Sequence, residues 1–196
     1  MESCAFCDTS RVRKNIVHET KHFVVKVGIG LITAGQVMII PKQHFVCFGD
    51  LPNELEAEFL SLKELLVAKI TQLFAKPFLI EYGNWGQSVP HAHMHIIPMK
   101  NEQYEVKSVV DEMVKGGNFV VERVSREQLR ELYKKEKGYC SIENSGNLYY
   151  CHITHLDPET IRFNPHLSYR MFFAQKGVSG TGGSSWQNLS HEEHVQ

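Results

Sequence analysis

The sequence lacks an excess of either charge: 21 Lys and Arg stand against 22 Asp and Glu in 196 residues, a formal net charge of −1. A protein that holds the nucleic-acid backbone through counterion release carries a basic surplus, so a polynucleotide is not the expected partner. Long apolar runs are missing too. No stretch approaches the roughly 18 residues that a membrane helix needs, and the opening Met1-Glu-Ser-Cys-Ala-Phe-Cys7 has no apolar h-region. No membrane partner and a cytoplasmic, reducing location are the resulting expectations. Beside Cys4-Ala-Phe-Cys7 there is no second C-x-x-C, and Cys47, Cys140 and Cys151 stand singly in apolar or aromatic surroundings, where they read as inert buried thiols. No internal repeat is visible. What the chain does have is histidine, 11 residues in all, with three inside positions 91–95.

Hydrophobic residues make up 42% and charged residues 22%, enough for one packed domain of ordinary size with a small appendage. Phe23 to Val27 and Gln36 to Pro41 read as two strands of a hairpin, with Gly28, Gly30 and Gly35 between them. Pro52 in a first turn, Glu54, Glu56 and Glu58 at the positive end, and Leu55, Phe59, Leu62, Leu66, Ile70 and Leu73 at helical spacing predict one long amphipathic helix over 52–75. Phe78 to Tyr82 reads as a third strand, 83–90 as a loop, and His91 to Pro98 as a fourth strand. This order predicts an antiparallel α+β sheet with a helix on one face.

In His91-Ala-His93-Met-His95-Ile-Ile97, the period of a strand sends the three imidazoles to one face and Ala92, Met94 and Ile96 to the other. Three neighbouring imidazoles offer a metal site or a nucleophile with supporting groups. Just upstream, Gly86-Gln87-Ser88-Val89 supplies backbone N–H groups and a hydroxyl of the kind that binds anions.

The His-x-His-x-His strand, the Gly86-Gln87-Ser88-Val89 turn and Val37-Met-Ile-Ile-Pro41-Lys42-Gln-His44 together resemble the histidine triad, or HIT, superfamily of nucleotide hydrolases and transferases. The resemblance covers about the first 100 residues. It implies an antiparallel HIT-like sheet with one long helix, forming a nucleotide-binding catalytic domain at 1–105, plus a smaller C-terminal α/β extension at 106–196. It also implies that His93 is the nucleophile on the α-phosphate of a small nucleotide. Substrate classes would be nucleoside phosphoramidates and dinucleoside polyphosphates. His95, Ser88 and the Gly86-Gln87 backbone would stabilise charge on the phosphoryl oxygens, and Gln87 or Ser88 would hold the leaving group. Asn84 does not align with the longer Asn-x-Gly segment of small relatives and stays outside the site. In relatives with an N-terminal C-x-x-C, a structural zinc takes two thiolates, the His after Pro-Lys-x and the first triad His, which here are Cys4, Cys7, His44 and His91. A rival arrangement makes His91, His93 and His95 the three ligands of a catalytic zinc. Relatives pair as homodimers, so the resemblance implies a homodimer here unless the extra half replaces or covers that surface.

The second half predicts a helix capped by Ser125 and Gln128 with Leu129 and Leu132 inward. A hairpin of 139–142 and 148–153 turns at Asn144-Ser145-Gly146. Arg170, inside an apolar segment, pairs with a carboxylate or contacts a phosphate; Gly180 to Ser185 is a flexible run before Trp186, and the His191-Glu-Glu-His194 tail reads as solvated. This half faintly resembles the second lobe of larger HIT-like proteins linked to RNA processing. The alternative function is therefore a non-catalytic nucleotide- or RNA-linked adaptor.

Overall fold

The structure is a computed structural model that describes residues 4–8, 13–28, 31, 33–83, 87, 89–99 and 120–152. In chain order these form β1 (Ile16–Glu19), β2 (Phe23–Lys26), β3 (Val37–Pro41), a 3₁₀ turn (Phe48–Asp50), α1 (Asn53–Leu73), β4 (Pro77–Gly83), β5 (Met94–Pro98), β6 (Val120–Val124), α2 (Arg126–Glu136), β7 (Tyr139–Asn144) and β8 (Asn147–His152). All eight strands join one antiparallel sheet in the order β1-β2-β3-β5-β4-β7-β8-β6. The α+β class, the β2–β3 hairpin, the long helix and the β7–β8 hairpin are as the sequence predicts. The expected division near residue 105 falls outside the described residues, whereas 120–152 continue the sheet that begins at residue 16.

The helical spacing of Leu55, Phe59, Leu62 and Ile70 puts these side chains in the core with Phe23, Val25, Ile39, Leu79, Ala92, Met94 and Ile96. The apolar half of the triad alternation therefore packs under α1, as predicted. Pro52 stands just outside the helix as its N-cap, and Leu73 is exposed, so the buried stripe ends at Ile70. α2 starts at the predicted capping box, in which Ser125 Oγ accepts from Gln128 N–H and the Gln128 side chain accepts from Ser125 N–H. Leu129 and Tyr133, with Leu132 partly buried, pack on Tyr139, Tyr150, Val124 and Cys47. Burial pushes the Cys47 thiol up to about 12, consistent with an inert thiol, and Cys140 and Cys151 are buried as well.

A polar network ties the two halves of the sheet together where β4 meets β7. Glu81, fully buried on β4, accepts hydrogen bonds from Phe48 N–H at 2.6 Å and Tyr139 O–H at 2.7 Å, and the Tyr139 oxygen accepts from Gly49 N–H at 3.0 Å. Arg126 binds Glu56 at 2.7 Å and the Phe48 carbonyl at 2.6 Å. Arg130 reaches Glu56, Asn53 and the Leu51 carbonyl. Lys63 on α1 pairs with Glu143 on β7 at 2.8 Å. Gly83 has no alternative: a Cβ there would lie 2.3 Å from the Tyr139 ring.

Burial pushes the Glu81 carboxyl up to about 6, against the pull of Arg126 and its two donors. The folded value exceeds the ordinary 4.5, so the folded state holds this proton more tightly. Its stabilising contribution is full below about pH 4.5 and is lost as pH rises through about 6. A shift of this size corresponds to something on the order of 2 kcal/mol. Measured by urea unfolding across that window, the stability of the wild type relative to Glu81→Gln should fall as pH rises, because the contributions of all other titrating groups cancel in the difference. Tyr139→Phe should cost about 1–3 kcal/mol at neutral pH, because it leaves Glu81 and the Gly49 N–H each short of a partner; an unchanged unfolding midpoint would contradict the role given to this network.

Candidate active site and metal centre

The segment that carries the triad is only partly a strand. His91 N–H donates to the Val89 carbonyl at 2.8 Å and Ala92 N–H donates to the Phe45 carbonyl at 2.7 Å, so this backbone is held by the 45–46 loop and the regular ladder begins at Met94. The predicted strand from His91 is thereby shortened, and the histidines separate into two groups. The His93 and His95 rings meet edge to face, with centroids 5.1 Å apart, while the His91 ring turns to His44, 4.9 Å away.

All three triad rings are buried. His93 Nδ1 lies 2.7 Å from the His91 carbonyl oxygen. A carbonyl only accepts, so Nδ1 carries the proton and a neutral His93 has its lone pair on Nε2. His91 is oriented by the same logic: its Nε2 donates to the Pro41 carbonyl at 2.8 Å, which leaves the Nδ1 lone pair facing the cysteines. Burial pushes the His91 imidazole down to about 4, against the help of the Pro41 carbonyl, so it is neutral at pH 7.

Cys4, Cys7, His44 and His91 converge, and their ligand atoms all lie within 4.8 Å of one another. His91 Nδ1 is 3.4 Å from Cys4 Sγ and 3.5 Å from Cys7 Sγ, and His44 Nδ1 is 3.3 Å from Cys7 Sγ. Metal–sulfur and metal–nitrogen bonds of about 2.3 and 2.0–2.1 Å at a tetrahedral angle give S···N edges of about 3.5 Å. The donor set and its spacing thus fit a tetrahedral thiolate–imidazole ion, and the Pro41 carbonyl supplies the outer hydrogen bond that fixes a ligating ring. Among the described residues this is the His/Cys/Asp/Glu group that could hold a metal, and His93 and His95 are not part of it.

The carriers of this arrangement are local. Cys7 and Asp8 N–H donate to the Cys4 carbonyl, forming the tight turn that aims both sulfurs the same way. Phe6, between the cysteines, packs with Val24, Met38 and Ile40 and presents its edge or face to His91 and His93 at 5.8 and 5.3 Å. Lys42 of the Pro-Lys-x-His segment binds the Thr20 carbonyl at 2.7 Å. Gln87 donates from Nε2 to the Val46 carbonyl at 2.8 Å, while its buried Oε1 has no partner among the described residues. Gly86, Ser88, Asn84 and Arg170 lie outside the described residues. The sequence missed the carbonyls of Pro41, Phe45 and Val46, which carry no side-chain signal. It also missed Phe6, whose only signal is an aromatic ring between two cysteines.

A family model described as the HIT domain matches residues 9–102. An uncharacterized HIT-like protein of Methanocaldococcus jannaschii is 28% identical over 140 residues, 69% of this chain and 99% of that protein. An asymmetrical bis(5'-nucleosyl)-tetraphosphatase of Schizosaccharomyces pombe is 31% identical over 103 residues, 50% of this chain and 57% of that protein. An adenosine 5'-monophosphoramidase of the same yeast is 32% identical over 110 residues, 52% of this chain and 78% of that protein. No helix among the described residues is long and apolar enough to cross a membrane. With the histidine segment, the Pro-Lys-x-His strand and the sheet that joins them in place, the chain belongs to the HIT family.

Proposed function

We propose that the protein is a HIT-type nucleotidyl hydrolase or transferase that cleaves nucleoside phosphoramidates or dinucleoside polyphosphates through a nucleotidyl-histidine intermediate on His93. The observation that supports this reading is the 2.7 Å contact of His93 Nδ1 with the His91 carbonyl, which puts the proton on Nδ1 and the lone pair of the neutral ring on Nε2. Two relatives are named for cleavage of such bonds. Neutral Nε2 attacks the α-phosphorus and the bond to the leaving group breaks; water or another acceptor then displaces His93. Two in-line displacements retain configuration at phosphorus. As Nε2 gains its bond to phosphorus, positive charge on the ring is stabilised by the carbonyl that accepts from Nδ1. His95, edge-on to His93, Gln87 and Ser88 are assigned to the phosphoryl oxygens and leaving group.

The four-residue cluster is assigned to a structural zinc held by Cys4, Cys7, His44 and His91. It would supply no chemistry to the reaction; its ligands would fasten the N-terminal turn, and with it Phe6, beside the triad.

His93→Ala should lower kcat/KM by about 10⁴-fold or more, and denatured wild-type protein quenched during turnover should carry a nucleotidyl group that the variant lacks. Full turnover in His93→Ala would remove the mechanism. Long-range ¹H–¹⁵N spectra at neutral pH should show His93 protonated on Nδ1 and bare on Nε2; the opposite tautomer would be incompatible with the attack described. Protein purified without added metal should contain about one zinc per chain, and Cys4→Ser or His44→Ala should lose it with a fall in Tm. A metal-free protein whose Tm is unmoved by Cys4→Ser would rule the site out.

A further inference from the structure

Apart from the 3₁₀ turn before α1, the C-terminal elements repeat the strand–helix–strand–strand order of the unit that carries the histidines. The first unit runs β3, α1, β4, β5 and its strands lie side by side as β3-β5-β4. The second runs β6, α2, β7, β8 and its strands lie as β6-β8-β7. Every pairing within either unit is antiparallel. Register makes the correspondence residue-specific. Met38 pairs with His95 and His95 with Ile80 in the first unit, while Arg123 pairs with Tyr149 and Tyr149 with Ile142 in the second.

The two rows meet at the pair Ile80–Ile142, where β4 and β7 lie antiparallel. Ile80 and Ile142 are therefore both equivalent positions and direct partners, which is the condition for a local two-fold axis through that pair. The layers obey the same relation. Ile39, Met94 and Ile96 lie under α1, and their equivalents Val124, Leu148 and Tyr150 pack with the residues of α2. Chemistry is not repeated. Tyr149 occupies the place of His95, and a two-residue turn at Ser145 and Gly146, both with positive φ, replaces the connection that bears His91 and His93.

An open β4 edge is a template for another strand, and a two-fold axis through that edge is how identical chains close it. Here the symmetric position is filled from within the chain. Tyr139–Glu81, Lys63–Glu143 and the Arg126 and Arg130 bonds to Glu56 fasten the second unit to the first with buried or half-buried links. We infer that residues 120–152 are a catalytically silent counterpart of the triad-bearing unit that takes the place of a partner subunit at β4, so that one chain with one triad is the working unit. This holds whatever reaction His93 performs.

The test uses the full chain with Ile80→Cys alone and Ile80→Cys/Ile142→Cys together, oxidised with diamide, the disulfides being mapped by peptide mass spectrometry. The double variant should close an intrachain link between positions 80 and 142, and the single variant should form no 80–80 link between chains. An 80–80 crosslink between two chains, or a folded double variant that leaves 80 and 142 unlinked, overturns the inference. Light scattering on the unmodified protein gives a readout free of core substitution. A mass of about 22.5 kDa from micromolar to submillimolar concentration is expected, and twice that mass overturns the inference as well.

Discussion

The buried carboxylate of Glu81 is the constraint on which the rest of the arrangement depends. Removing a carboxylate from water is costly unless its lone pairs are satisfied, and the donors that satisfy this one come from separate parts of the chain: Phe48 from the 3₁₀ turn and Tyr139 from β7, with Arg126 of α2 close by. The turn that Glu81 holds continues directly from the loop whose Phe45 and Val46 carbonyls receive Ala92 and Gln87. Hence the backbone that presents His91 and His93 is positioned in part by the C-terminal strands. The second half of the chain contributes to the site through this network without placing any of its described histidines in it.

What was legible in the sequence follows from how local each signal is. The long helix could be read because Leu55, Phe59, Leu62 and Ile70 recur at its own period, and α2 because Ser125 and Gln128 form a box within four residues. The two edge strands could not: Ile-Val-His-Glu and Val-Val-Glu-Arg-Val are short, largely exposed and without alternation. The joining of β4 to β7 was invisible for a different reason. Phe-Leu-Ile-Glu-Tyr and Tyr-Cys-Ser-Ile-Glu each fit any buried neighbour, and only Glu81, Tyr139 and Gly83 fix the match. The repeat leaves no trace in the residue types because it is one of topology and register: Met38 answers to Arg123 and His95 to Tyr149, which share no chemistry.

The candidate site was more legible than the fold around it. The resemblance to relatives with an N-terminal C-x-x-C implied Cys4, Cys7, His44 and His91 as one ligand set, and these four do converge. Strand periodicity misjudged only the start of the triad strand, since the carbonyl of Phe45, rather than a neighbouring strand, claims the N–H of Ala92. That departure from the ladder separates His91 from His93 and His95.

His91 also faces two ways. Its side chain belongs to the cysteine cluster, and its own carbonyl oxygen holds the proton on His93. A single peptide unit thus connects an ion-sized cage to the ring assigned to phosphorus, and the two cannot vary independently. Any occupant that narrows the motion of His91 also narrows the orientations of His93. By the reciprocity of linked equilibria, a ligand that immobilises His93 tightens the grip of the cage by the same factor.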